Sequence, residues 1–304
     1  MRLDKEFLEK FKNNFKNNTN LSNYSWFNLG GPAEYFFKPE NTNQLIEFLK
    51  LNRKNKLKLT ILGAGSNTLI RDKGIKGVVI KLGSGFSKIN LLDKQTIEVG
   101  AAVLDRKIAN YAKDNGIGNL EFLSCIPGSI GGAVVMNSGC YENDISKVLI
   151  SINIVDIKEC KEKEIKREQI KFFYRGTDLS NQYIITSIKL RGISQSKDFI
   201  EKKQIQMMEK KKLSQPSQIK TCGSTFKNAS EKKAWQLIKE TGSDEFSEGD
   251  AVISKKHCNF FVNNGKAKSA DIEKLIQKVK QRVSEKTGIN LELEIKIIGE
   301  KKKI

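Results

Sequence analysis

Three short stretches of the 304-residue chain carry side chains that could do chemistry. Phe173-Tyr174-Arg175-Gly176-Thr177 places a guanidinium beside an aromatic ring at the start of a loop. Cys222-Gly223-Ser224-Thr225-Phe226-Lys227-Asn228 sets a serine after a glycine, with Lys227 and Asn228 three and four residues on. Glu294 falls near the chain end, where Ile289, Leu291, Leu293, Ile295 and Ile297 alternate with polar residues. A cation, a hydroxyl and a carboxyl are the groups that polarise a bound anion and move a proton. Each also has a plain reading: Arg175 as a surface ion-pair partner, Ser224 as a turn residue, Glu294 as a solvated strand face. Glu292 and Glu294 share that face at period two, so spacing does not choose between them.

Two glycine clusters could hold a charged ligand near these groups. Gly63-Ala64-Gly65-Ser66-Asn67 follows a predicted strand, as a dinucleotide fingerprint would. The fingerprint then fails, because Thr68 stands where a third glycine belongs and no helix follows before Gly74 and Gly77. The turn still offers approachable backbone N–H groups, which can cradle an anion without positive side chains. The second cluster is Ile126-Pro127-Gly128-Ser129-Ile130-Gly131-Gly132-Ala133, extended by Asn137, Ser138 and Gly139. Pro127 fixes one backbone angle, and the glycines let the chain pass close to something. A tight helix entry packed on a sheet is the competing explanation. The ligand reading is preferred because a plain turn needs fewer glycines.

The elements that must position these segments read as a mixture of helices and strands, class α+β. Leu59 to Leu62 and Val78 to Ile80 read as strands around the first glycine turn, and Ile150 to Val155 and Tyr183 to Leu190 as β-branched strands. Thr42 is placed as the cap of a helix burying Leu45, Ile46 and Leu49, and Asp105 to Asn115 reads as a second helix. Phe199 to Leu213 forms a basic helix stopped at Gln215-Pro216. Ser269 is placed as the cap of a helix with a buried stripe of Ile272, Leu275, Ile276, Val279 and Val283, stopped by Gly288. The alternation from Ile289 to Ile297 then predicts a half-buried strand. At the N-terminus, Leu3, Phe7, Leu8, Phe11 and Phe15 space as one face of an amphipathic helix.

With these motifs in view, the sequence resembles the UDP-N-acetylenolpyruvoylglucosamine reductase family. GAGSNTLIRDKGIKGVVIKL and EFLSCIPGSIGGAVVMNSG look like its two FAD-binding segments, and NLGGPA extends the match upstream. FYRGT is similar to the family's YR-x-S motif, GSTFKN to its GS-x-FKN motif, and LELEIKIIG to its closing E-x-x-x-IG motif. The chain departs from the pattern at Trp26, Thr177 and Ala229, where the family prefers Thr, Ser and Pro; none of these changes removes a reacting group. The resemblance implies a fold of the vanillyl-alcohol oxidase type, with two α+β subdomains for FAD and a C-terminal α+β substrate domain. The boundaries expected on that basis are 1–81, 82–193 and 194–304.

It further implies that Gly63 to Asn67 and Pro127, Gly128, Ser129, Gly131, Gly132 and Ala133 bind non-covalent FAD. Arg175, Ser224 and Glu294 become the reacting triplet, and Lys212, Lys227 and Asn228 hold the UDP-sugar. NADPH is the implied reductant. Only 48 residues separate Arg175 from Ser224, which matches the shorter form of the family, without an additional tyrosine-bearing loop.

Composition bounds the alternatives. A formal charge of +19 favours polyanions and raises a rival reading as a basic nucleic-acid-binding protein. That rival needs aromatics interleaved with the basic residues on one element, and here they are spread along the chain. A second rival is another FAD enzyme on the same fold, an alcohol or lactone oxidase, which would share the glycine turns but not GSTFKN with the terminal glutamate. Those oxidases often attach FAD through a histidine, and His257, the chain's single histidine, lies far from the glycine turns.

One histidine and five cysteines without a CxxC pair offer no metal framework, so no metal is expected and the thiols read as those of a reducing compartment. With no signal peptide and no long apolar run, the expected protein is a cytoplasmic monomer acting on small molecules, without nucleic acid or a membrane span.

Overall fold

The computed structural model describes residues 9–301. Contacts group the described chain into two units. The first takes the chain up to Lys16, Phe36–Ala64 and Val78–Lys211; the second takes Asn17–Tyr35, Gly65–Gly77 and the chain from Lys212 onward. Unit 1 therefore continues past the boundary expected after residue 193 and includes most of the helix Lys197–Ser214.

Unit 1 is built on a five-stranded sheet in the order Lys161–Lys166, Leu149–Asp156, Tyr183–Arg191, Thr96–Gly100, Ile89–Leu91. Every neighbouring pair is antiparallel. Ile152, Ile154, Ile188, Ile97 and Val99 face one core, where stiff β-branched side chains pack well on a pleated surface. Each such side chain contributes about 1.5–3 kcal/mol when fully buried. Helix Asp105–Asp114 adds Ile108, Ala109 and Ala112 to this core. Ile130, Ala133 and Val134 join it from the second glycine cluster, so that segment is anchored from below.

Elsewhere in unit 1, Leu59–Ile61 pairs in parallel with Val78, Val79 and Ile80. Phe37 stacks on Phe48 at 4.2 Å, with Phe11 edge-on to both. Leu3, Phe7 and Leu8 of the expected N-terminal helix lie outside the described residues. Phe15 does not continue that helix: it opens the strand Phe15–Asn20, and its ring joins the Phe37 and Phe48 cluster from there.

Unit 2 carries the helix Ser269–Thr287 over a three-stranded antiparallel sheet of Ser247–Glu248, Ala251–Ile253 and Phe261–Asn263. The predicted stripe of Ile272, Leu275, Ile276, Val279 and Val283 is buried with Phe226, Phe261, Leu291 and Ile295, and Gly288 ends the helix in the left-handed conformation.

Both predicted helix caps are corrected. Asn41, not Thr42, caps Thr42–Asn55, its Oδ1 accepting from Gln44 N. Ser269 is the first helical residue. The carboxylate of Asp72 accepts from the N–H groups of Ser269 and Ala270, and Ser269 Oγ donates to Ile70 O. Asp72 thus satisfies orphan donors and places negative charge at the helix start. Arg71, beside it, makes a two-nitrogen contact with Glu273 of the same helix and donates to Gly299 O.

The expected strand from Ile289 to Ile297 shortens to Lys296–Ile298, parallel to an unpredicted strand, Thr68–Ile70. Before it the chain is extended but meets its neighbour only at an isolated bridge, Phe226 with Leu293.

Candidate active site

Unit 1 brings parts of both glycine clusters together. Ser129 precedes the six-residue helix Ile130–Val135 and bridges to Leu104. Asp105 N donates to Gly128 O, Ile130 N to Val103 O and Gly131 N to Ala101 O, so residues 101–105 and 128–131 run side by side. A Cβ on Gly131 would stand 3.1 Å from Ala101 Cβ and from Ala101 O, a tight contact that favours glycine there. A Cβ on Gly132 would meet only Ser129 Oγ, at 3.8 Å. Its face is open, as a cradle for a ligand requires.

The first cluster reaches the same serine: a Cβ on Gly63 would approach Ser129 Oγ to 2.9 Å. Lys81 Nζ donates to Gly63 O at 2.5 Å. Burial, reinforced by Lys38, lowers this ammonium from the ordinary lysine range. A cation therefore stands at the first residue of this turn, beside its backbone N–H groups. Sequence reasoning passed over Lys81, although it lies within the quoted segment GAGSNTLIRDKGIKGVVIKL directly after a strand.

Arg175 also belongs to unit 1, at φ 56° in a tight hairpin between Phe172–Phe173 and Gly176–Thr177. Its guanidinium lies 5.1 Å from the centre of the Tyr174 ring, a cation–π contact. The hairpin is held by the end of the second glycine cluster: Asn137 Nδ2 donates to Phe173 O, and Thr177 Oγ1 to Val135 O. Asn137 Oδ1 accepts from Ser146 N, so one buried amide ties the hairpin to the turn Ile145–Lys147.

Unit 2 assembles the remaining residues. Gly65, at φ 71°, leaves no room for a Cβ, which would stand 1.8 Å from Tyr24 O. Asn67 Nδ2 donates to Glu294 O at 3.1 Å, and Asn67 O accepts from Lys296 N. Thr225 O accepts from Glu294 N at 2.9 Å, so Ser224 and Glu294 flank a single hydrogen bond. Asn259 clamps the next peptide, its Oδ1 accepting from Phe226 N and its Nδ2 donating to Phe226 O. Burial pushes the Cys222 thiol up to about 11, so it stays protonated and donates to Gly65 O and Thr68 O.

The structure separates the two glutamates that spacing left equivalent: Glu292 is exposed and pairs with Lys227 at 3.5 Å, whereas Glu294 is half-buried. Asn228 Oδ1 accepts from Ala234 N and so supports the start of the helix Ala234–Glu240. Lys212 O accepts from Lys256 Nζ. His257 has a structural part, with Nδ1 accepting from Asn259 N and its ring edge-on to Phe260. Asn259 and Asp72 were missed from sequence, because a buried amide or carboxylate that serves backbone far away leaves no local spacing signal.

These features, a glycine cradle with a nearby cation and a serine and a glutamate fixed on adjacent backbone, describe a flavin-binding enzyme. Residues 33–160 match the family model described as FAD binding domain, and residues 215–298 match the UDP-N-acetylenolpyruvoylglucosamine reductase, C-terminal domain. A UDP-N-acetylenolpyruvoylglucosamine reductase of Pelagibacter ubique is 45% identical over 96% of this chain and 99% of its own length. One of Orientia tsutsugamushi is 40% identical over 97% of each. The crystal structure of UDP-N-acetylenolpyruvylglucosamine reductase from Thermus caldophilus superposes with a TM-score of 0.80 at 30% identity, covering 93% of this chain and 97% of that one.

The chain belongs to the UDP-N-acetylenolpyruvoylglucosamine reductase family. Its fold is α+β with an FAD-binding domain, and its cofactor is FAD. Among the described residues no helix is long and apolar enough to cross a membrane.

Proposed function

We propose that the protein reduces the enolpyruvyl group of UDP-N-acetylglucosamine enolpyruvate to UDP-N-acetylmuramate, with NADPH as reductant, in the cytoplasm. FAD, when bound, would supply hydride transfer between NADPH and the carbon–carbon double bond. Its diphosphate is assigned to Gly63 to Asn67 and to Pro127, Gly128, Ser129, Gly131, Gly132 and Ala133. The open face of Gly132, the Ser129 hydroxyl and Lys81 support that assignment.

Reduction leaves negative charge on the carbon beside the substrate carboxylate, delocalised onto its oxygens. Arg175 neutralises that charge as a cation, and Glu294 donates a hydrogen bond or relays a proton to it. Ser224 delivers the proton to that same carbon. A serine is a weak acid, so the step requires a strong carbanionic base and a partner for the alkoxide. Lys212, Lys227 and Asn228 hold the UDP-sugar, Lys227 as a charge partner for the diphosphate.

The observation that carries this reading is the Glu294 N to Thr225 O bond, which fixes the Ser224 and Glu294 backbones one residue apart. The test is an anaerobic visible spectrum. NADPH should bleach the flavin, and colour should return only when the enolpyruvyl sugar is added. Ser224→Ala should bleach normally and lose that return. A protein that takes up no FAD, or a reduced flavin that the sugar leaves bleached, sinks the proposal.

A further inference from the structure

Two of the five cysteines meet in space. Cys125 ends the short turn Glu121–Cys125 directly before the second glycine cluster, and Cys140 follows that cluster in the small strand Gly139–Cys140. Cys140 Sγ donates to Phe122 O of that same turn at 3.4 Å, which brings its thiol near enough to that of Cys125 for each to shift the other's protonation; Cys125 Sγ also meets Met208 Sδ at 3.8 Å. Both are reduced. The other three thiols have separate surroundings: Cys160 donates to Ile157 O, Cys222 to Gly65 and Thr68, Cys258 to Trp235 O.

The pair is chemically unequal. The hydrogen bond from Cys140 lowers the Cys125 thiol to about 6, and the Lys211 ammonium, which donates to Cys125 O, favours the thiolate further. Cys140 is raised in turn, by its bond to Cys125 and then by burial. A shared proton, a nearby cation and a neighbouring thiol are the conditions for selective two-electron oxidation. Cys125 is 5% exposed while Cys140 is half-buried, so a small oxidant reaches the pair from the Cys140 side.

We propose that Cys125 and Cys140 form a redox-modification site that peroxide converts to an intramolecular disulfide closing the segment 126–139. The Cys125 thiolate attacks peroxide; the O–O bond breaks, hydroxide leaves and Cys125 becomes a sulfenic acid. Cys140 sulfur then attacks Cys125 sulfur, and its proton and the departing hydroxyl leave as water. Sulfur loses two electrons in total and peroxide gains them. The closed segment contains the second of the two glycine clusters assigned to FAD, so oxidation ties its two ends to each other without touching the reacting triplet.

The test uses the flavin-loaded full chain, exposed to dilute hydrogen peroxide for increasing times, alkylated in denaturant and mapped by peptide mass spectrometry. The expected product is a Cys125–Cys140 cross-link that dithiothreitol reverses and that forms roughly tenfold faster than oxidation at Cys160, Cys222 or Cys258. Cys140→Ser should accumulate a dimedone-reactive sulfenic acid at Cys125, and Cys125→Ser should give neither product. Oxidation spread evenly over the five thiols, or cross-links only between chains, overturns the proposal. The wild-type measurement decides the matter even where a variant fails to fold.

Discussion

Asn259 offers the sharpest test of how the Ser224 strand is held. Its side chain is 3% exposed and clamps Phe226, accepting from the backbone N–H at 3.0 Å and donating to the carbonyl at 2.8 Å. Asn259→Ala removes both partners in a dry place, and each orphaned backbone group costs about 1–3 kcal/mol, so the variant should lose about 2–5 kcal/mol. Asn259→Asp is more discriminating. Its protonated carboxyl reproduces the amide, one oxygen accepting from Phe226 N and the hydroxyl donating to Phe226 O. Its ionised form sets oxygen against oxygen.

The folded Asn259→Asp variant therefore holds its proton more tightly than the unfolded chain, and its stability relative to wild type falls as pH rises. The loss starts near the unfolded value of about 3.9 and grows by at most about 1.4 kcal/mol per pH unit until the folded carboxyl itself ionises. Urea midpoints for both proteins at pH 4.5, 5.5, 6.5 and 7.5, with amide exchange at Phe226 as a local readout, measure the divergence. A gap between Asp and Asn that stays flat with pH would refute the clamp, as would an Asn259→Ala cost below about 1 kcal/mol.

Other expectations follow from single residues. Thr225 Oγ1 is buried with no hydrogen-bond partner, so Thr225→Val should raise stability by about 1 kcal/mol, roughly 2–4 °C in a melting scan, and a lower melting temperature would contradict that. Asp105 is fully buried with neither carboxyl oxygen hydrogen-bonded, and burial pushes it well above the usual carboxylate range. The folded state thus binds that proton more tightly than the unfolded state. Wild-type stability is eroded as pH rises above about 3.9, and the stability of Asp105→Asn relative to wild type should increase between pH 4 and pH 7. Denaturation at the two pH values checks this, and a constant difference counts against it. Gly132→Ala should stabilise the flavin-free protein by about 0.5–1 kcal/mol through helix propensity while weakening FAD binding. Gly131→Ala should destabilise the flavin-free protein by about 1–3 kcal/mol through its clash with Ala101, and paired melting and flavin titrations separate the two.

What could be read from the sequence was what is written locally. Leu149–Asp156, Tyr183–Arg191 and Asp105–Asp114 came within a residue or so of their predicted ends, since β-branched runs and glycine stops act on their own neighbourhoods. The helix cap at Ser269 failed for the opposite reason: its acceptor, Asp72, lies 197 residues away in sequence. The stretch from Ile289 to Ile295 shows a different limit. Its alternation correctly buries Leu291 and Ile295, but period two encodes faces and not partners. Glu292 O and Glu294 N instead meet Lys227 N and Thr225 O, in a pairing too brief to form a ladder. The same geometry half-buries Glu294 and exposes Glu292, so the choice that spacing could not make comes from tertiary pairing.

The glycines show why their number was a weak guide to a ligand. Gly65 is required by Tyr24, while a Cβ on Gly63 would crowd the Ser129 hydroxyl and one on Gly131 would crowd Ala101, each a close approach of the protein to itself. A turn that rich in glycine can thus be explained largely without any cofactor, which is the explanation the sequence favoured less. Packing leaves Gly132 unaccounted for, because its open face costs the short helix some stability and returns no internal contact. An occupant that needs the backbone bare at that point explains the residue. Lys81, half-buried and aimed at Gly63 O, is the cation that would offset part of a diphosphate's charge there. The case for a diphosphate in this fold accordingly rests on one glycine that packing does not require and one lysine that no motif announced.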